Sequence, residues 1–349
     1  MSMPLFVLGC GAVTSVGWTA AQTCAAIRAG ITGFLEWDLS YASDEFPIIQ
    51  AAPAPLDQLP RDNLLHDRLV ELATTALDEC LGNAKLDSGE TVVFLGTREP
   101  FRAHRALPAN GASLLPAIEK RMGKRFHPDS RSLAVGRTAA INGLLLAPNL
   151  FATGRSRACI VGGVDSYLNL ADWKLFSDSY RFKSEDVPKG FIPGEGAAFV
   201  AISAIPKTSN QGQSVQVLGA GLVDEDPSTS VKSAGHPTGK GLSRAMREAV
   251  QASGLLESQI ECRVSDLNGE EYAGVDSMLA VARFYRTRRE TLPVTLPASC
   301  VGDIGAAAGA LSLIVANMGI TKRYSRGKVV MCESSSDEGQ RGAALVSAI

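Results

Sequence analysis

The stretch LFVLGCGAV at residues 5–13 decides the fold, because a counterpart, VQVLGAGLV, recurs at residues 215–223. Each copy is an apolar run broken by Gly-x-Gly, and each is predicted to be a buried strand. In the first copy the predicted strand, Leu5–Leu8, enters a turn at Gly9. The repeat indicates that the chain has two related halves.

A second repeat follows the first in each half of the chain. AAINGLLLAPNLFATG (139–154) precedes ACIVGGVDS (158–166), and GAAAGALSLIVANMG (305–319) precedes KVVMCESSS (328–336). In both cases a helix of small residues leads into a strand. Two related βα lobes are therefore predicted.

The lobes are predicted to meet in the short polar stretch AIPKTSNQGQS at 204–214, which divides the chain into halves 1–208 and 209–349. The Ala and Gly residues at 306–310 are weak choices for a surface helix, since Gly costs about 1 kcal/mol relative to Ala. They favour a buried layer of paired helices between two sheets. The predicted architecture is an α/β sandwich of five layers, αβαβα.

Other elements follow from periodicity and from helix start and stop signals. We predict helices at Thr19–Ala29 and Asp67–Leu81 and a strand at Thr91–Leu95. Residues 31–65, which include Pro53, Pro55 and Pro60, and residues 97–131 are predicted to be irregular.

Composition argues against several classes of partner. The net charge is −2 and 45% of residues are hydrophobic, so no overall attraction to nucleic acid or to an anionic membrane is expected. The seven cysteines are widely spaced and lack Cys-x-x-Cys pairs, which favours reduced thiols and no metal or other cofactor. The N-terminus shows no signal peptide and the chain no membrane span, so the cytoplasm is the expected compartment.

One cluster of cations stands out in the sequence. It is interpreted as a solvated surface segment, with a docking patch for an acidic partner as the alternative. Its members are Arg98, Arg102, Arg105, Lys120, Arg121, Lys124 and Arg125.

Four segments resemble the β-ketoacyl synthases of the thiolase-like superfamily. They are LGCGAVTSVG (8–17), VGGVDS (161–166), KGFIPGEGAAFVAIS (189–203) and GDIGAAAGALSLIVAN (302–317). The resemblance implies the five-layer sandwich and a dimer joined through sheet edges. It also implies acyl condensation by a cysteine at the N-terminus of a central helix, assisted by two histidines.

The cysteine that the resemblance implies is missing. Its position falls at Arg137, and residues 81–158 contain no cysteine. The hydroxyl of Thr138 or Ser132 could substitute only beside a general base, and no histidine is placed to act as one.

The histidines that the resemblance implies are missing as well. The last 113 residues contain none, and the two positions correspond to Asn268 and Asp303. The family's lysine corresponds to Ala298, and its glycine-rich loop is replaced by CESSSDEGQRG at 332–342. The site is thus predicted to be catalytically degenerate.

Few other side chains could rescue the chemistry. Cys300 and Cys332 lie near the expected site, but neither has an imidazole nearby and both are interpreted as buried thiols. The histidines present fall outside the family's positions: His66, His104, His127 and His236. A buried Arg137 needs anionic partners, and we expect Asp303, Glu270 or Glu271 to supply them.

Two functions agree with these losses. The first is a pseudoenzyme that acts as a structural or adaptor partner, as in the accessory clusters of type VI secretion systems that the resemblance suggests. The second is a chain-length-factor-like subunit that pairs with an active ketosynthase. A third possibility is an enzyme that uses Cys300 or Cys332 on a thioester. A homodimer, or a heterodimer with a ketosynthase-like chain, is expected, with its seam at Ala158–Gly162 and sensitive to Val161→Lys.

Overall fold

The computed structural model describes residues 3–37, 49–56, 65–102, 111–206, 214–226 and 235–349. The strands of these residues are, in chain order, β1 (Leu5–Val13), β2 (Leu35–Trp37), β3 (Ile49–Ala51), β4 (Val92–Gly96), β5 (Arg131–Leu133), β6 (Ala158–Ser166), β7 (Glu195–Ser203), β8 (Val215–Asp224), β9 (Cys262–Ser265), β10 (Val294–Thr295), β11 (Val329–Ser335) and β12 (Gln340–Ala348). The helices are α1 (Ala20–Ala29), α2 (Leu65–Ala84), α3 (Leu114–Met122), α4 (Ala139–Ala152), α5 (Leu170–Asp178), α6 (Lys240–Ser253), α7 (Glu271–Phe284), α8 (Ala298–Val301) and α9 (Ala308–Thr321).

The main sheet contains the predicted duplication. Its strand order is β5-β4-β6-β7-β1-β8-β12-β11-β9-β10. When the strands of each half are numbered in chain order, both halves run third, second, fourth, fifth, first. The halves join where β1 pairs antiparallel with β8, at Phe6 opposite Gln216. The boundary between 208 and 209 lies outside the described residues and stays a prediction.

Helices complete the predicted five layers. The central layer is formed by α4 and α9, which pack against each other and against strands of both halves. On the outer faces, α2 packs on β1 and β7, and α6 packs on β8 and β12. The small residues of α9 are almost all buried, as a helix between two sheets requires. The α/β sandwich predicted from the sequence is confirmed.

The Gly-x-Gly motifs allow the outer helices to approach the sheet. A Cβ atom on Gly11 would lie 2.0 Å from the carbonyl oxygen of Ala76 in α2. In the second half, a Cβ atom on Gly221 would lie 2.2 Å from the carbonyl oxygen of Ala245 in α6. Because the glycines serve this contact and not a turn, β1 continues to Val13 instead of ending at Leu8.

The other sequence-based elements are confirmed in part. Helix α1 begins after Thr19, whose side chain accepts the N–H of Gln22, and it ends at Gly30 in the left-handed conformation. The prediction of irregular structure was wrong in two places. Residues 31–65 include β2 and β3, which pair antiparallel, and residues 97–131 include α3.

The predicted seam at Ala158–Gly162 is wrong. Strand β6 is hydrogen-bonded to β4 on one side and to β7 on the other, so it has no free edge. Val161 is completely buried and packs on α4 beside Gly143. Within the described part of the chain, the ends of the main sheet are β5 and β10.

No helix among the described residues is both long and apolar enough to cross a bilayer.

Candidate functional site

The structure brings the four sequence-predicted site residues together. Arg137 lies in a single 3-10 turn, Gly136–Thr138, which leads into the N-terminus of α4. Asn268 follows β9, and Asp303 lies in the loop between α8 and α9. Ala298 begins α8 and lines a small cavity together with Asp303. All four therefore face one point where the two halves of the chain meet.

Arg137 is buried and holds two carboxylates. Its Nε donates to Asp303 Oδ1 at 3.2 Å, and its Nη2 donates to Asp303 Oδ2. Its Nη1 donates to Asp337 Oδ1 at 2.9 Å and to the carbonyl oxygen of Ser335 at 3.0 Å. The predicted pairing with Asp303 is confirmed.

The other predicted partners of Arg137 bind elsewhere. Glu270 accepts from Arg181, whose Nε and Nη2 lie 2.6 Å and 2.8 Å from its two oxygens. Glu271 pairs at 2.5 Å with Lys189 on the surface. The prediction that either carboxylate pairs with Arg137 was wrong.

These contacts close into a ring. The Nδ2 of Asn268 donates to Asp303 Oδ2 at 2.8 Å and to Glu270 Oε2 at 2.9 Å. Arg181 Nη1 lies 2.8 Å from Asp337 Oδ2. The ion-pair ring, in order, is formed by Arg137, Asp303, Asn268, Glu270, Arg181 and Asp337.

The ring has opposite charges on its two sides. Both guanidiniums, Arg137 and Arg181, come from the first half of the chain, whereas all three carboxylates come from the second. Burial acts to raise the pKa of Asp303, but Arg137 lowers this pKa below its ordinary value. Burial also opposes ionisation of Asp337, and Arg181 and Arg137 hold its pKa far below the ordinary value. Both carboxylates are thus charged, and the ring is an electrostatic contact between the halves.

Two further carboxyl groups hold the turn between β11 and β12, which carries Asp337. Asp266 accepts the N–H of Ser335 at 2.7 Å, and Glu99 accepts the N–H of Glu338 at 2.8 Å. Burial raises the pKa of Asp266 to about 7. Burial raises the pKa of Glu99 to about 8, and the negative charge of Asp337 adds a smaller contribution in the same direction. This turn occupies the position where the sequence comparison expected a glycine-rich loop.

Little space is left beside the ring. The cavity lined by Arg137, Asn268 and Asp337 has a volume of about 30 Å³. A second cavity, between Ala298 and Asp303, measures about 10 Å³. A single water molecule needs at least about 10–15 Å³ on this scale, so the first cavity holds one or two waters and no acyl chain.

Comparisons with solved structures identify the type of fold. No family model matches the chain, and no curated protein matches it. Solved structures do match over its whole length. The ishigamide ketosynthase/chain length factor has a TM-score of 0.78 and 17% identity, covering 100% of both chains. The type II ketosynthase AntDE, in complex with its acyl-carrier protein AntF, has a TM-score of 0.80 and 14% identity, again over 100% of both chains.

A third structure is the ketosynthase ApeO with its chain length factor ApeC from Xenorhabdus doucetiae. It has a TM-score of 0.73 and 13% identity, covering 99% of this chain and 98% of that one. The chain has the thiolase-like fold of the ketosynthases. At these identities the likeness shows the fold alone.

On this ketosynthase fold the candidate hydroxyl nucleophiles have no base. Thr138 Oγ1 donates to Gln340 Oε1 at 2.6 Å or to the carbonyl oxygen of Val135 at 3.0 Å. Ser132 Oγ donates to the carbonyl oxygen of Gly111 at 3.2 Å. A hydroxyl that donates to a neutral oxygen is not activated for attack.

The thiols lie in the interior of the fold. All seven cysteines are buried, and none of them forms a disulfide. Cys332 Sγ donates to the carbonyl oxygen of Ser312 at 3.6 Å, and burial, followed by Cys262 and Glu333, raises its pKa well above the ordinary value. Cys300 is buried beside Ser299, with the two side-chain atoms 3.8 Å apart.

The described histidines take part in local contacts. His66 lies 3.6 Å from Asp67, and His127 Nδ1 accepts the N–H of Asp129 at 3.2 Å. His236 is exposed. His104 lies outside the described residues.

The cation cluster of the sequence divides into two parts. The interpretation as a solvated segment was wrong for Arg98 and Arg102, which are buried. Arg102 Nη1 and Nη2 each lie 2.8 Å from a carboxylate, of Asp165 and Asp172 respectively. Arg105 lies outside the described residues, and the remaining members are exposed: Lys120, Arg121, Lys124 and Arg125.

Proposed function

We propose that the chain is a non-catalytic ketosynthase-like protein that acts as a structural or adaptor partner of another protein. The observation that carries this proposal is the ion-pair ring at the family's catalytic positions. A buried guanidinium does not lose its proton and cannot attack a thioester. The ring also leaves too little space for an acyl chain and surrounds that space with charge, which disfavours an apolar occupant.

Acyl loading tests the proposal directly. The purified protein is incubated with acyl thioesters of short and long chain, and the intact mass is measured. We expect no acyl adduct. An adduct on Cys300 or Cys332 that the corresponding alanine variant removes would instead support the displaced-cysteine enzyme.

A chain-length-factor-like subunit is the second candidate. It is favoured by the full-length match to structures of a ketosynthase with a chain length factor. In this case the active site belongs to the partner, and the ring holds this subunit in shape. Such a subunit would form a heterodimer with a ketosynthase-like chain, whereas the adaptor could also form a homodimer.

Affinity purification of the tagged protein from its native host separates the two candidates. Recovery of an active ketosynthase or an acyl-carrier protein supports the chain-length-factor role. Recovery of secretion or effector components without acyl machinery supports the adaptor role in a type VI secretion cluster, which rests on the sequence resemblance. The cytoplasmic location and the lack of a cofactor stay predictions.

A further inference from the structure

A row of exposed cations runs along helix α6, far along the chain from the ion-pair ring. Lys240, Arg244 and Arg247 are spaced by four and then three residues and so share one face of the helix. All three are exposed, and the side chain of Arg244 is 70% accessible. The row spans about 10 Å, or two helical turns.

The C-terminal end of α7 extends this row. Arg247 Nη2 donates to the carbonyl oxygen of Arg283 at 3.2 Å. Arg283 Nε in turn donates to the carbonyl oxygen of Thr238, two residues before α6, at 2.9 Å. These hydrogen bonds fix the two helices side by side. The cation band is defined here as Lys240, Arg244, Arg247, Arg283 and Arg286, all exposed.

Four carboxylates lie at the cation band, and three of them are shared with arginines outside it; one of these, Glu257, accepts the N–H of Arg286 at 3.2 Å and pairs with Arg289 at 2.7 Å. Among the ion pairs of the described residues, Glu248 is the carboxylate that pairs with a band member, Arg244, at 3.2 Å. Glu225 and Asp276 bind N–H groups at the start of α6, but both also lie beside Arg341, at 3.1 Å and 3.4 Å. They are therefore partly neutralised from the inside of the molecule.

Folding explains only part of the band: Arg247 and Arg283 hold the two helices together, and Arg283 lies in the last turn of α7, where the helix dipole favours a cation. Lys240 lies in the first turn of α6, where a cation opposes the helix dipole, and this turn carries no acidic residue. The whole chain has a net charge of −2, so this positive surface is a local feature. The charge of Lys240 does not stabilise its own helix, and its exposed side chain remains accessible to a partner outside the chain.

We propose that the cation band is a docking surface for an acidic protein segment, a helix or extended stretch rich in Asp and Glu. The inference rests on the proposed role as a protein partner and names where one partner binds. No member of the band is aromatic, so it has no platform on which bases could stack. Two turns of cations match one face of a partner helix.

A labelled glutamate-rich helical peptide tests the band by fluorescence anisotropy. The wild type should bind it at low ionic strength and more weakly near 0.15 M salt. Arg244→Glu with Arg247→Glu should weaken binding by at least about ten-fold. The matched control, Lys120→Glu with Arg121→Glu on α3, should bind like the wild type. Circular dichroism confirms that all variants are folded.

Two results would overturn the docking surface. One is equal affinity of the wild type and the α6 double variant, and the other is an equal loss in the α3 control. Tighter, band-dependent binding of a DNA duplex or of anionic vesicles would assign the band to another class of partner and also refute the proposal. Acyl loading is measured separately, so failure here leaves the non-catalytic role untouched.

Discussion

Arg137 is a permanent cation at the N-terminus of a buried helix, where the helix dipole favours anions. Its burial therefore requires carboxylates, and Asp303 and Asp337 supply them. The same two carboxylates would be unfavourable in the absence of the guanidinium. The guanidinium of Arg137 and the two carboxylates thus stabilise each other in the interior.

Replacement of Arg137 by Met should destabilise the protein by about 3–5 kcal/mol, because it leaves the buried Asp303 without its cation and Asp337 with Arg181 alone. Denaturant unfolding followed by circular dichroism measures the loss. The exposed control, Arg121→Met, should change the unfolding free energy by no more than about 0.5 kcal/mol. Equal stabilities of the two variants would contradict the role given to the ion-pair ring.

Part of this site was predictable at the residue scale. The count of missing catalytic residues, together with a buried arginine that needs an anion, was sufficient to name Asp303 as one of three possible partners of Arg137. Asp337 and Arg181 were not found, because nothing in the local sequence shows that a turn after β11 and a loop after α5 meet. The raised pKa values of Asp266 and Glu99 depend on burial that only the assembled fold produces.

Strand β5 is one free end of the main sheet within the described residues, and a partner strand could pair there. The carbonyl oxygen of Leu133 accepts the N–H of Thr97, so Leu133 points its polar backbone atoms inward toward the extension of β4. Ser132, one residue earlier, then points its own N–H and carbonyl outward. This alternation makes Ser132 the position to test.

Ser132→Pro removes the outward donor and leaves the pairing with β4 intact. We expect the variant to fold but to lose self-association or association with a ketosynthase-like chain, measured by light scattering after size-exclusion chromatography. Val161→Lys provides the contrast. It places an ammonium group inside the sheet and should give an unfolded or aggregated protein instead of a folded monomer. If the Ser132→Pro variant kept the molar mass of the wild-type assembly, β5 would not be the seam of that assembly.

The glycines of the duplicated strands allow a matched pair of substitutions. Gly221→Ala places a methyl group against the backbone of α6 and should cost about 1–3 kcal/mol. Gly274→Ala, in α7, meets open space and should raise stability by up to about 1 kcal/mol. Thermal unfolding of the two variants gives the sign of each effect, and a loss in both would refute the close-approach argument.

Elements with a strong periodic pattern were the predictable ones. Helix α2 and the small-residue helices α4 and α9 followed from spacing and composition. Strands β2 and β3 have three residues each, too few to show a period, and their pairing joins residues on both sides of 38–48. The interior position of β6 could not be read from its sequence, since a buried apolar strand looks alike at the centre and at the edge of a sheet.

At the scale of the whole molecule, the carboxyl groups around the ring predict an unusual dependence on pH. Asp266 and Glu99 have raised pKa values of about 7 and about 8, against ordinary values of 3.8 and 4.5. The stability they contribute is complete below the ordinary values and is lost as pH rises toward 7 and 8. Asp303 and Asp337, whose pKa values are lowered, lose their contribution only in acid, below about pH 4.

The free energy of unfolding should therefore fall between pH 5 and about pH 8. Denaturant unfolding across this range measures the slope. Glu99→Gln combined with Asp266→Asn keeps both acceptors but cannot ionise, so its slope should be flatter than that of the wild type. Glu248→Gln, a control at a partly exposed carboxylate of α6, should keep the wild-type slope. A wild-type stability that rises over this range would contradict the assignment.

The division of the ring between the two halves limits how this chain could change. A cysteine placed at position 137 would leave Asp303 without its cation and Asp337 with Arg181 alone, and both histidines would still be missing. A single substitution that introduces a catalytic residue into the ring thus gives a less stable protein. The ion-pair ring therefore opposes single substitutions, and acyl-transfer chemistry at this site would require several simultaneous substitutions drawn from both halves of the molecule.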